Sequence, residues 1–167
     1  MPAKKAKIVS GSIMPYTVIS DTREQKGWTF SENQYCAGTI IKGLKTGDYS
    51  IVGCETVFTI ERKRNVAEFA GNIIQARFEN EMKRLEFFPD AYLILEFTME
   101  NLMQWPVGSG LPPYLQRKTK ISKRFLMKRF MDFQTNYRTK IILAGAHGKD
   151  VASSLFKRMS EKYAIKI

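Results

Sequence analysis

"TGDYSIVGCETVFTIERKRN" spans residues 46–65. Gly47-Asp48 leads into an apolar run, a Gly53-Cys54 turn follows, and a second apolar run closes on Glu61-Arg62-Lys63. Side chains alternate along a strand, so Glu61 and Lys63 share one face and Arg62 takes the other. Asp48 stands at the mouth of the preceding strand, and a hairpin can fold it back beside Glu61. Two carboxylates and a lysine are costly to gather unless something divalent or phosphorylated sits between them. Paired hard oxygens suit Mg²⁺ or Mn²⁺, with a backbone carbonyl near Arg62 and water completing the shell. Such a metal can lower the pKa of a bound water and offset charge building on a phosphodiester. Lys63 can orient that water or neutralise the phosphate. The bare Glu-x-Lys triplet is also a common cross-strand ion pair, so the weight rests on its placement after Asp48.

Outward from this hairpin the pattern alternates. Residues 16–20, 38–42, 49–53 and 55–60 read as strands, the last three as an antiparallel meander. Residues 66–87 switch to helical period with Asn65 as N-cap, and Phe88-Pro89-Asp90 stops them. Residues 91–97 read as a strand buried on both faces. Residues 104–113 hold three prolines and two glycines and read as a loop. A helix from about 122 to 137, a strand at 139–145 and an amphipathic helix at 148–163 complete the chain. Alternating strands and helices point to one α/β domain with a mixed central sheet over residues 15–167, preceded by a flexible basic arm at 1–14.

The chain has 167 residues, 27 Lys+Arg against 16 Asp+Glu, and a net charge of +11. So basic a domain is expected to meet a polyanion, and nucleic acid is the commonest. From Arg117 to Arg129 seven basic residues occur without an acid: Arg117, Lys118, Lys120, Lys123, Arg124, Lys128 and Arg129. We read this run as DNA-backbone contact, against the plainer reading of a solvated helix face. Trp28, Tyr49 and Trp105 are the aromatics able to stack on a frayed base, with Trp105 the leading candidate and Tyr49 better placed as packing beside the site. Cys36 and Cys54 lack metal-ligand spacing and read as reduced, partly buried thiols. The single histidine, His147, rules out a histidine-rich metal site and reads as a loop residue. No apolar run approaches the length of a membrane span, and no glycine-rich loop marks an NTPase.

Three ordered motifs, Asp21-Thr22-Arg23-Glu24, Gly47-Asp48-Tyr49 and Glu61-Arg62-Lys63, resemble the nuclease domain of XPF-type structure-specific endonucleases. "QARFENEMKRL" at 75–85 and "LILEF" at 93–97 are similar to that family's following helix and strand. The likeness runs from about residue 16 to the last helix and is greatest to stand-alone prokaryotic and phage members. It implies a restriction-endonuclease-like α/β core and a Mg²⁺- or Mn²⁺-dependent DNA endonuclease acting near a flap, junction or single-strand/duplex border. By the same resemblance, Asp48 and Glu61 are metal ligands and Lys63 is the directing cation. Asp21 and Glu24 are acids at the site edge. Arg23, Arg62 and Arg77 are phosphate contacts or ion-pair partners, with Glu24 or Glu68 the expected partner of Arg62. The family places an aspartate where Ala67 stands here, and the adjacent Glu68 is expected to take its role. Nothing resembles the tandem helix-hairpin-helix domain of cellular members, so branch specificity is expected from this domain, a dimer mate or another DNA-targeting protein. A homodimer would use the helices at 122–136 and 148–163, whose apolar stripes read more simply as core. The expected setting is the cytoplasm of a prokaryotic cell or phage-infected host, or the nucleus in a eukaryote. The alternatives are a non-catalytic nucleic-acid-binding or scaffolding module built on a nuclease fold, and a basic RNA-associated protein.

Overall fold

The computed structural model describes residues 14–164. The basic arm expected at 1–14 therefore lies, Met14 apart, outside the described residues. Six strands form one sheet: β1 (Tyr16–Ser20), β2 (Cys36–Ile41), β3 (Tyr49–Ile51), β4 (Phe58–Lys63), β5 (Asp90–Leu95) and β6 (Lys140–Leu143), in the order β2-β1-β3-β4-β5-β6. β1 runs antiparallel to β3 and β3 to β4, while β2 is parallel to β1 and β4, β5 and β6 are mutually parallel. The expected mixed α/β sheet is present. The expected meander is not. β3 pairs with β1 rather than β2, and β2 sits at the far edge in parallel with β1. The 15 residues from Asp21 to Tyr35 let the chain cross over instead of turning tightly.

The stretch 66–87 is two helices, α1 (Val66–Ile73) and α2 (Ala76–Leu85), with Gln75 in an extended conformation between them. The buried residues explain the break. Val66, Phe69, Ala70 and Ile73 keep helical spacing, but the next buried residue, Phe78, comes five positions on. One continuous helix would turn Phe78, Met82 and Leu85 off the core, and the break resets the phase. Asn65 caps α1, its side chain accepting from the Glu68 N–H at 2.8 Å. The expected loop at 104–113 lies between two short helices that the sequence pattern did not mark, α3 (Met99–Met103) and α4 (Pro113–Gln116). α5 (Lys123–Asn136) and α6 (Gly148–Lys162) match expectation closely.

Two cores flank the sheet. On one face α1, α2 and α5 pack Phe69, Phe78, Met82, Phe130 and Phe133 against Leu93 and Leu95 of β5. On the other, α6 packs Ala152, Phe156 and Met159 against Phe58, Ile60 and Ile94. β5 serves both, which is why its sequence is apolar without alternation. The stripes of α5 and α6, considered above for a dimer, are core. Trp105 is core as well: it is 6% exposed, and its indole N–H donates to the Ile121 carbonyl at 2.8 Å. It does not stand out to stack on a base. Cys36 and Cys54 are free and buried, as expected. No helix among the described residues is long and apolar enough to cross a membrane.

The C-terminal end of α6 is tied to the sheet through Asp90, which is 2% exposed. Lys140, Lys162 and the Tyr163 hydroxyl all donate to its carboxylate. Burial alone would raise this acid, but those three donors outweigh it and hold the carboxyl at about 2, below its ordinary 3.8. A depressed carboxylate stabilises the fold above its unfolded pKa and loses that contribution as pH falls through the folded value. Asp90→Asn should therefore lower stability at pH 7 by about 1–2 kcal/mol, the lysines being solvent-screened, and flatten the acid limb of the stability curve between about pH 4 and 2. Urea unfolding across that range checks it. An acid limb identical to wild type removes Asp90 as the tie.

Candidate active site

The Gly47–Asp48 turn delivers the first acid. Gly47 has φ +86°, a conformation that favours glycine, and a Cβ there would lie 2.0 Å from the Thr59 hydroxyl and 3.1 Å from the Ile60 carbonyl. This close approach lays Asp48 across the ladder. Its N–H donates to Ile60 O at 2.7 Å, its carbonyl accepts from the Asp21 N–H at 2.8 Å, and its carboxylate accepts from the Arg62 N–H at 2.8 Å. β4 then presents Glu61 and Lys63 toward α2, with Lys63 Nζ 5.2 Å from the Phe78 ring, and sends Arg62 to the opposite face. The alternation read from the sequence holds residue by residue.

On the α2 face, Lys63 Nζ lies 2.5 Å from Glu61 Oε1 and 3.7 Å from Glu81 Oε2. Burial, aided by Glu24 and Glu81, pushes Asp48 up to about 7 against the pull of the Arg62 N–H and Lys63. Glu61 is raised well above the usual carboxylate range by burial and then by Asp48. Lys63 is raised despite its burial, because Glu61, Glu81 and Asp48 favour the ammonium. Two buried acids beside a single ammonium are thus held toward their neutral forms, and a cation seated on them would favour the charged forms. Among the described residues no group of three or more His, Cys, Asp or Glu is arranged to hold a metal. The protein donors on offer are Asp48 and Glu61, and their hard oxygens fit a small divalent ion whose remaining shell is water or substrate oxygen.

Arg62 is a structural tie, not a surface cation. Its Nε donates to Glu96 at 2.7 Å, its NH1 donates to the Lys26 carbonyl at 2.8 Å and lies 3.8 Å from Glu24, and its guanidinium stacks 4.4 Å over Trp28. Of its two expected partners Glu24 is present. Glu68 is not, because its carboxylate accepts from the Arg64 N–H at 2.8 Å and lies 3.4 Å from Arg64 Nε. Trp28 in turn stacks on Tyr49 at 5.1 Å, and its N–H donates to the Tyr49 hydroxyl. Tyr49 is fully buried, as expected, and burial holds its hydroxyl up at about 12.

Asp48, Glu61 and Lys63 line an open cleft of about 620 Å³ together with Arg23, Glu24, Arg62 and Arg77. Asp21 does not line it. It is 2% exposed, and its oxygens accept from the Leu44 N–H at 2.6 Å and from the Arg23 backbone and Nε. Burial would raise this acid, yet those hydrogen bonds lower it, so Asp21 fixes the turn behind the site. Lys118, Lys120, Lys123, Arg124 and Lys128 are exposed but lie outside the cleft lining. Lys26, Arg64 and Glu81 line the cleft and were not singled out in the sequence. Glu81 carried a signal. It lies three residues after Phe78 and four before Leu85, a carboxylate on a stripe that is otherwise buried and apolar.

A family model described as the ERCC4 domain matches residues 20–157. The chain belongs to the ERCC4 domain family. Among solved structures it is similar to XPF from Aeropyrum pernix, at 19% identity and a TM-score of 0.57 over 87% of this chain and 65% of that one. It is similar to the same protein in complex with DNA, at 19% identity and a TM-score of 0.56 over 88% and 66%. The chain spans just under two thirds of the length of those structures, and the likeness is one of fold. No curated protein matches. The expectation of an XPF-type nuclease domain is borne out by family and fold together.

Gly47→Ala should cost about 2–4 kcal/mol, from backbone strain and the clash with Thr59. Urea unfolding measures it, and a midpoint equal to wild type would mean that this turn does not set Asp48.

Proposed function

We propose that the chain is a Mg²⁺- or Mn²⁺-dependent DNA endonuclease hydrolysing phosphodiester bonds. The observation that carries this reading is the convergence of Asp48, Glu61 and Lys63 on the floor of a cleft whose rim carries Arg23, Lys26, Arg64 and Arg77. Membership of the ERCC4 family and the DNA complex of its XPF neighbour support it. Asp48 and Glu61 would hold the cation, which when bound supplies Lewis-acid charge and a more acidic water. Asp48 keeps one carboxylate oxygen on the Arg62 N–H, so its orientation does not depend on the ion. Lys63 supplies positive charge next to Glu61, where the attacking water is oriented or the phosphate neutralised. Arg23 and Arg77 line the cleft, and their guanidinium groups would take backbone phosphates of the bound strand. The substrate class we favour is branched DNA or a single-strand/duplex border, engaged by the cleft and by the exposed lysines of α5 and the segment before it.

The decisive assay is cleavage of labelled single strand, duplex, flap, splayed arm and four-way junction with Mg²⁺, Mn²⁺ or EDTA. Asp48→Asn and Glu61→Gln should abolish cutting while DNA binding persists, and Lys63→Ala should lose about a hundredfold or more in kcat. Full activity in any of the three defeats the site assignment. Tight binding with no cutting by the wild type favours the scaffolding alternative.

The basic run makes a separate prediction. Charge reversal at Lys123, Arg124 and Lys128 should weaken DNA binding and reduce the slope of log K against log salt by about one unit for each phosphate no longer neutralised. An unchanged slope means that DNA follows another path.

A further inference from the structure

Lys63 is a buried ammonium with two carboxylates in reach. It is 5% exposed, and the Phe78 ring lies 5.2 Å from Nζ. Its short contact, 2.5 Å, is to Glu61, the residue whose oxygens a cation would need. In this arrangement the ammonium covers a metal ligand. A cation engaging Glu61 would repel it, and a buried ammonium left without an acceptor is expensive. Among the described residues the other carboxylate within salt-bridge distance is Glu81, at 3.7 Å.

Glu81 is well supported for such a role. α2 is anchored by Phe78, Met82 and Leu85, all buried, so the backbone beneath Glu81 belongs to the core. The Glu81 side chain is 20% exposed, open enough to shift toward Nζ. Glu68, the acid that follows the Glu-Arg-Lys motif, is held by Arg64 and forms no ion pair with Lys63.

We propose that Glu81 is a positioning residue that receives the Lys63 ammonium when a divalent cation takes Glu61, so that cation and ammonium share the floor of the site. The proposal rests on the nuclease reading given above. It assigns the third acid of the site to α2 rather than to the first turn of α1, and it gives Lys63 two seats instead of one. Without Glu81, Lys63 has only Glu61 to hold, and the cation must compete with it.

The test is a double-mutant cycle read by Mn²⁺ binding to the DNA-free protein, using titration calorimetry and the electron paramagnetic resonance of free Mn²⁺. The variants are Glu81→Leu, which keeps bulk without an acceptor, Glu81→Gln, which keeps an acceptor oxygen, Lys63→Met, and Glu81→Leu combined with Lys63→Met. Urea midpoints establish that each is folded. Glu81→Leu should weaken Mn²⁺ binding about tenfold, Glu81→Gln should lose less, and in the Lys63→Met background the Glu81→Leu loss should shrink to about twofold. Wild-type affinity in Glu81→Leu overturns the proposal. So does an equal loss with and without Lys63, which would make Glu81 a direct ligand or a general source of charge. Those results leave the nuclease reading intact if the wild type binds Mn²⁺ and cuts DNA. A wild type that does neither overturns both.

Discussion

The backbone of Asp48 is hydrogen-bonded into two neighbouring strands at once, and the site depends on that attachment. Its N–H reaches β4, its carbonyl takes the N–H just past the end of β1, and its carboxylate takes another N–H from β4. These groups sit where two antiparallel strands begin to separate. There the ladder still supplies donors, while the open end leaves space for a cleft. Gly47 makes the approach possible, because any Cβ would meet Thr59. An acid placed by main-chain hydrogen bonds needs no neighbouring side chain to aim it. That frees the charged side chains nearby to act on one another.

The second organising feature is the pair of adjacent cations on opposite faces of β4. Lys63 enters the acidic floor on the α2 side. Arg62 closes a network of Glu24, Glu96, Lys26 O and Trp28 on the α6 side. The segment carrying Glu24 and Lys26 is thereby clamped to the sheet, and that segment forms one rim of the cleft. Gly148 at the start of α6 permits the clamp, since a Cβ there would come within 2.9 Å of both Glu96 and Trp28. A single strand thus supplies the charge of the site and the fastening of its wall.

Local rules carried the sequence reading far. The two-residue period of β4 separated Glu61 and Lys63 from Arg62, and the hairpin brought Asp48 to them. The uninterrupted apolar run of β5 announced a strand covered on both sides. Nonlocal pairings were out of reach. Neighbouring strands usually pair, so the meander was the natural reading for β2 and β3, yet β2 crosses to the outside of β1. The break between α1 and α2 was encoded as a phase slip between Ile73 and Phe78, but apolar residues counted without their phase hide it. Trp105 looked exposed because prolines and glycines surround it, whereas a large ring can bury itself from a surface loop. The Arg62–Glu96 and Lys63–Glu81 pairs join residues that no motif spacing relates.

The floor and the rim of the cleft are made of different material. Asp48, Glu61 and Lys63 hang from the sheet, where a one-residue shift would turn each side chain to the wrong face. Arg77 stands on the first turn of a helix, and Arg23 and Lys26 on a connecting segment. Changes at those positions leave the strand register untouched. Mutation can therefore sample new rims over an unchanged floor, and the charge and shape of the cleft mouth can drift while Asp48, Glu61 and Lys63 stay where the ladder put them.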